Sequence, residues 1–190
     1  QKSTNTYGSD LWILNEEFIY FKGNSEFQLK DLEIDNKKVF KSEFEQEEQR
    51  YLTSLGQSRL DKRPDVLLFP EESKCIIIEF KAPNVNASDH LTQINKYASF
   101  IRNYTNKEFK IKTFYGYLIG EGIEANDVQG SVSTFEHSHN FDYLFSPAQK
   151  VIDFKGDEHG SIYTEVLKYT SLLKRAELRN QIFIEKLGLK

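Results

Sequence analysis

The chain has 190 residues, 38% of them hydrophobic, and a formal net charge of −4. This length predicts one domain, 1–190, with a proper core. No apolar run approaches the roughly eighteen residues of a membrane span, so we expect no membrane partner and a cytoplasmic location. The single cysteine excludes an internal disulfide framework and a cysteine-based zinc site. The acidic balance argues against binding nucleic acid by bulk charge.

Residues 10–22 form the first apolar segment of the chain. Leu11, Leu14, Phe18 and Phe21 follow helical spacing within it, which predicts a helix. The end of this segment could instead begin a strand.

Residues 24–62 are rich in charge. Apolar side chains recur at helical spacing within them, which predicts an amphipathic helix packed on the core or on a partner. The members of this stripe are Phe40, Phe44, Tyr51 and Leu55. A substrate lid is the alternative role of the helix. Three cations follow, which could meet phosphates or balance the acidic helix: Arg59, Lys62 and Arg63.

Two short apolar runs, 66–69 and 75–78, occupy the centre of the chain and are separated by a polar connection with a proline. They predict a hairpin of two strands with both faces covered. Side chains alternate faces along a strand, so Glu79 and Lys81 share one face. Asp65, at the start of the first strand, lies opposite the end of the second, so these three charged residues converge. The alternative is a solvated ion pair at the sheet edge.

This set of charged groups has a clear chemical use. Two carboxylates can hold Mg²⁺ or Mn²⁺ while leaving several water positions on the ion. The metal polarises a phosphoryl oxygen and acidifies water, and a nearby lysine can orient the attacking water and offset developing negative charge. Such groups are the equipment of a phosphodiesterase.

A Pro-Asp pair that ends at Asp65, thirteen intervening residues and then Glu79-Phe80-Lys81 resemble the PD-(D/E)XK motif of restriction-endonuclease-like nucleases. The motif lies across a predicted strand–turn–strand. A helix with a QxxxY pattern, which starts at Gln93, follows it as in many family members. The resemblance implies that Asp65 and Glu79 bind the metal, with the carbonyl of Phe80 as a third ligand, and that Lys81 serves the attacking water.

Two further side chains enter the site through the resemblance. The first helix of many such nucleases offers a glutamate toward the metal, which implies Glu16; the alternative is a solvated helix charge. Gln93 lies on a helix predicted from Asn86 or Ser88 to about Asn103. The resemblance implies that it contacts the substrate or a water on the metal; the alternative is a helix-surface amide.

The expected fold class is α/β, with a restriction-endonuclease-like core in which helices flank a mixed central β-sheet. Strands are expected near 64–69, 75–81 and 109–119, and the strand–helix–strand order predicts a crossover unit. The Gln93 helix should pack on the sheet through one apolar stripe: Leu91, Ile94, Ala98 and Ile101.

The wider chain also resembles the C-terminal nuclease module of bacterial GHKL-type ATPases. The resembling pieces are 11–16, the central motif and 175–180. This resemblance implies an N-terminal ATPase domain of the same chain as a partner, and it leaves a homodimer open. The chain has no methionine, even at position 1, so we expect a fragment of a longer protein.

The remaining residues carry weaker patterns. Residues 121–140 predict a loop or a weak hairpin, and the His-Ser-His run at His137 is interpreted as part of that loop because no third metal ligand accompanies it. Residues 141–145 and 151–154 predict short strands. Residues 161–187 predict one long helix ended by a glycine.

These features predict a Mg²⁺- or Mn²⁺-dependent nuclease that binds DNA, with an endonuclease favoured over an exonuclease. The alternatives are a catalytically silent module with the nuclease fold, which holds nucleic acid or a partner domain, and an RNA nuclease.

Overall fold

In this computed structural model, the described residues are 22–25, 29–55, 64–69, 73–109, 111–138, 142–153 and 159–188. Their strands are β1 (Lys22–Ser25), β2 (Glu33–Ile34), β3 (Lys37–Lys38), β4 (Val66–Phe69), β5 (Lys74–Phe80), β6 (Thr113–Gly120), β7 (Glu136–His137), β8 (Tyr143–Ile152) and β9 (His159–Lys168). Their α-helices are α1 (Gln46–Leu55), α2 (Leu91–Tyr104), α3 (Ala125–Ser131) and α4 (Tyr169–Lys186).

Seven of these strands form one mixed sheet in the order β1-β4-β5-β6-β9-β8-β7. β5, β6 and β9 run parallel at its centre, and antiparallel strands flank them on both sides. The α/β class, the hairpin of β4 and β5 and the crossover through α2 are therefore confirmed. The carboxyl ends of the parallel strands meet at one end of the sheet, where ligands bind in many α/β proteins.

α2 covers one face of the sheet. Its predicted apolar stripe is buried, as expected: Leu91, Ile94, Ala98 and Ile101. Cys75 and Ile77 of β5 lie in the same cluster, since alternate residues of a strand point to one face. The helix approaches β6 closely at Gly116, where a Cβ atom would collide with the side chain of Ile94.

The opposite face of the sheet carries a second apolar cluster. Ile78 and Leu167 belong to it, and Leu172 of α4 packs on them. Aromatic rings extend this face, since Tyr115 and Tyr163 stack with their centroids 5.7 Å apart. Tyr163 remains 43% exposed, so the described residues cover this face only in part.

The long helix predicted over 161–187 is wrong in its first third. β9 occupies those positions, and α4 begins only at its end. Ile162, Thr164 and Val166 are buried, which is the alternation of a strand, although two of them also match helical spacing. Pairing with β6 and β8 on either side selects the strand. The predicted glycine end is present, with Gly188 at a φ of 64°.

The amphipathic helix predicted to include Phe40 and Phe44 starts later, at Gln46. Phe40 instead forms a β-bridge with Thr105, and its ring lies against Phe100 with centroids 5.5 Å apart. These tertiary contacts hold the segment in a non-helical path.

The strand predicted near 109–119 begins only at Thr113. The amide of Phe109 donates to the carbonyl of Asn106, so the chain turns at this point rather than extending. The rest of the predicted strand is present as β6.

Residues 121–140 contain α3 and β7, where we predicted a loop or a weak hairpin. Where the structure describes them, the strands predicted at 141–145 and 151–154 fall on one strand, β8, whose pairing shifts between Ser146 and Gln149. Irregular pairing at this point explains why the sequence pattern indicates two pieces.

None of the helices in the described ranges has both the length and the apolar composition that a bilayer crossing needs.

Candidate active site

The hairpin of β4 and β5 places Asp65 beside the end of β5. Val66 pairs with Ile78, so one further step of the same register sets Asp65 opposite Glu79. Oδ2 of Asp65 accepts a hydrogen bond of 2.6 Å from the amide of Phe80. The carboxylate therefore takes the place of a backbone acceptor where the ladder ends.

Glu79 lies on the face of the sheet that α2 covers and is only 5% exposed. Its Oε1 accepts hydrogen bonds from Lys81 Nζ at 2.9 Å and from Gln93 Nε2 at 2.6 Å. Lys81 Nζ also donates to Gln93 Oε1 at 3.1 Å. The three side chains thus form a closed triangle at the carboxyl end of β5, with Gln93 contributed by the first turn of α2.

Tyr97 adds a fourth side chain to this triangle. It lies one turn after Gln93 on α2, as the QxxxY pattern requires, and its hydroxyl accepts a hydrogen bond of 3.4 Å from Gln93 Nε2. The sequence singled out this tyrosine only as part of the family pattern. In the structure it supports the amide that touches Glu79.

The site brings together the negative charge of two carboxylates, of which Glu79 is poorly reached by water and Asp65 is exposed. Burial raises the pKa of the Glu79 carboxyl, and the charge of Asp65 adds to this increase. The hydrogen bond and charge of Lys81 lower the pKa, as does a hydrogen bond from the backbone of Asp65. Burial also raises the pKa of the Tyr97 hydroxyl; its hydrogen bond with Gln93 opposes this increase, and the charges of Glu79 and Asp65 add to it. A divalent cation would neutralise this excess.

Tyr169 is a neighbour of the site that sequence reasoning missed. Its hydroxyl donates to the carbonyl of Lys81 at 3.0 Å, across 88 positions of sequence. This tyrosine falls within the long helix predicted over 161–187, and no local signal connected it with Lys81. The structure places it at the first position of α4, directly after β9.

The donor set fits a hard divalent cation. Among the described residues, Oε2 of Glu79 is buried and has no hydrogen-bond partner, which is unusual for a carboxylate oxygen. Asp65 lies opposite Glu79 by extension of the hairpin register, and its charge acts on the Glu79 carboxyl. The Phe80 carbonyl points to the same side of β5 as its amide, toward Asp65. Two carboxylates and one carbonyl leave room for water ligands, as Mg²⁺ prefers.

The other predicted residues lie away from this site or outside the described residues. Glu16 and the cations at 59–63 are outside the described residues, as is the helix predicted at 10–22 apart from Lys22, which begins β1. His137 is in β7, with Nε2 3.6 Å from Asp142, so its loop assignment is wrong. The described ranges contain no group of three or more His, Cys, Asp and Glu side chains arranged for a metal, so the candidate site depends on two carboxylates.

Comparison with protein-family models, curated proteins and solved structures finds no match to this chain.

Proposed function

We propose that this protein is a Mg²⁺- or Mn²⁺-dependent nuclease of the PD-(D/E)XK type that hydrolyses phosphodiester bonds of DNA. The observation that carries this proposal is the buried Oε2 of Glu79, which lacks a hydrogen-bond partner among the described residues and lies beside Asp65, Lys81 and Gln93. A carboxylate oxygen without a partner is costly to bury, and binding of a cation would offset that cost.

Each residue has a role that follows from its position. Asp65, Glu79 and the Phe80 carbonyl would hold the cation, which would supply Lewis acidity at the phosphoryl group. Lys81 uses two of its three N–H donors on Glu79 and Gln93, which leaves one for the attacking water. Gln93 keeps that ammonium in place. Glu16 is a further candidate from the resemblance alone.

A second candidate function is a silent module with the same fold, which binds nucleic acid or a partner domain and cleaves nothing. The net charge of −4 favours the form of this module that holds a partner domain, because proteins that bind nucleic acid commonly present a basic surface. An RNA nuclease would use the same catalytic side chains. RNA differs from DNA by its 2′-hydroxyl, and none of the roles given to these side chains involves that group.

The test combines cleavage with metal titration. Closed circular plasmid and single-stranded DNA are incubated with Mn²⁺, Mg²⁺ or EDTA, and calorimetry measures Mn²⁺ uptake by wild type, Asp65→Asn and Lys81→Ala. We expect cleavage that EDTA abolishes. Asp65→Asn should lose metal affinity because a charged ligand becomes a neutral amide. Lys81→Ala should keep or gain affinity, because it removes a repulsive cation and no ligand, while cleavage still falls.

The two variants serve as controls for each other, since both change a charged side chain at the same end of the β4–β5 hairpin. Cleavage that survives EDTA, or equal loss of metal from both variants, would overturn the role assignment. Metal uptake without cleavage of either DNA substrate, or of a single-stranded RNA tested beside them, would favour the silent module.

A further inference from the structure

Phe80 stands between Glu79 and Lys81 in the chain, yet its side chain lies on the opposite face of the sheet. It is 44% exposed, although it is a large aromatic residue in the strand that carries the carboxylate. Its ring is parallel to that of Tyr169 within 5°, with centroids 6.5 Å apart. We call these two rings the aromatic platform.

The aromatic platform is tied to the candidate active site by hydrogen bonds on both sides. The Phe80 amide donates to Asp65 at 2.6 Å, and the Tyr169 hydroxyl donates to the carbonyl of Lys81 at 3.0 Å. The charge of Asp65 also contributes to a raised pKa of the Tyr169 hydroxyl, whose main cause is burial, so the carboxylate and this ring are electrostatic neighbours. The platform therefore has a defined place beside the carboxylates.

We propose that the aromatic platform stacks an unpaired base of the nucleotide next to the scissile phosphate, and that the substrate is therefore single-stranded DNA. This inference rests on the proposed nuclease function and specifies its substrate class. Bases in a duplex hide their faces against neighbouring pairs, whereas a single strand offers them to exposed aromatic rings. Stacking also supplies affinity that does not need a basic surface, in agreement with the net charge of −4.

The chain offers a matched control for Phe80. Tyr163 lies on the same face of the sheet and is exposed to almost the same extent, 43% against 44%. It pairs in register with Tyr115, which pairs with Ile76, so it lies four residues along the sheet from the level of Phe80. Loss of this ring removes an exposed aromatic side chain without touching the carboxylate end.

The first measurement compares steady-state cleavage of one DNA sequence as a single strand and as a duplex, in Mn²⁺. We expect wild type to prefer the single strand. Phe80→Leu should raise the KM for that strand by roughly 5- to 150-fold, the range that loss of one base–aromatic contact produces, with a smaller change in kcat. Phe80→Trp should restore the KM, and Tyr163→Leu should behave as wild type.

The second measurement reports stacking directly. A single strand that contains 2-aminopurine is titrated in Mn²⁺ with the Lys81→Ala protein, which is expected to bind without cleaving. Binding should quench the 2-aminopurine fluorescence, and this quenching should be lost in the double variant that carries both Lys81→Ala and Phe80→Leu. Cleavage by wild type without strand preference, or unchanged KM and quenching in Phe80→Leu, would overturn the aromatic platform and leave the nuclease proposal intact. Absence of cleavage of either substrate would overturn both.

Discussion

Glu48 and Glu79 are buried to nearly the same extent, with 3% and 5% of their surfaces exposed, but their surroundings differ. Lys41 Nζ donates to Oε1 of Glu48 at 2.7 Å, and the amide of Glu45 donates to its Oε2 at 2.9 Å. At Glu79 the two side-chain donors, Lys81 and Gln93, bind the same oxygen, Oε1. Its Oε2 has no partner in the part of the chain that the structure describes.

The comparison shows that burial alone does not mark a functional carboxylate. Glu48 is the third residue of α1 and binds back to the amide that precedes the helix, which is half of a capping box. Both oxygens of the Glu48 carboxylate therefore have a hydrogen-bond donor from the chain itself. Within the described residues, Glu79 keeps one oxygen without a donor, and this difference separates a structural glutamate from a candidate ligand.

The largest expected effect comes from Glu79→Gln, with Glu48→Gln as its matched control. Both changes unpair a largely buried lysine, whose side chain is 13% exposed at Lys81 and 25% at Lys41, and for Glu48→Gln this should lower the free energy of unfolding by about 1–3 kcal/mol. The loss should be smaller for Glu79→Gln, because that change also removes a buried carboxylate whose pKa is raised. Only Glu79→Gln should also reduce cleavage, by about 100- to 1,000-fold. It should further abolish the stabilisation by Mn²⁺, which reaches about 2.7 kcal/mol at a hundredfold excess over Kd.

Thermal unfolding with and without Mn²⁺, beside a cleavage assay, measures these differences. If both variants keep the Mn²⁺ stabilisation, Glu79 is not a ligand. If both lose it, the two glutamates do not differ in the way the hydrogen bonds indicate.

A second prediction concerns the packing that holds α2 against Glu79. A Cβ at Gly116 would collide with Ile94, the residue after Gln93, so Gly116→Ala should destabilise the fold by about 1–3 kcal/mol through overpacking. It should also reduce cleavage, because a displaced α2 loosens the contact of 2.6 Å between Gln93 and Glu79. Urea denaturation and the cleavage assay check both effects.

Gly130→Ala is the control for this change. Gly130 is exposed in α3, and no other group lies within 4 Å of the position that an alanine methyl would occupy, so alanine should stabilise that helix by about 0.5–1 kcal/mol. Equal stability of Gly116→Ala and wild type would show that α2 has room to move.

The smallest effect is expected at Glu165. This glutamate is half-buried, so it extends the comparison of Glu48 with Glu79 to a less buried carboxylate. Burial raises the pKa of its carboxyl, and the charge of Arg175 lowers it. Because the pKa in the folded state is raised, its contribution to stability is present at low pH and is lost as pH rises through that pKa. Glu165→Gln should therefore gain stability relative to wild type between pH 4 and pH 7, by less than about 0.5 kcal/mol.

Urea midpoints at the two pH values measure this shift, and Glu136→Gln removes the charge of an exposed glutamate for comparison. A shift in the opposite direction would mean that Arg175 outweighs burial at this position.

Short-range patterns were enough to predict the centre of the chain. The hairpin register follows from two apolar runs and a short turn, and strand alternation then brings Asp65, Glu79 and Lys81 to one place. The helix that carries Gln93 follows from its apolar stripe. In each case the residues that decide the structure lie within one turn, hairpin or helix, so their spacing in sequence contains the necessary information.

Only the tertiary structure decided the rest. Residues 159–168 match helical spacing and strand alternation at once, and pairing with β6, more than forty positions earlier, selects the strand. The same pairing delivers Tyr169 to the carbonyl of Lys81, and packing of α2 leaves Oε2 of Glu79 buried without a partner among the described residues. Such features depend on contacts between segments that are distant in sequence, and the local periodicity of apolar residues does not predict those contacts.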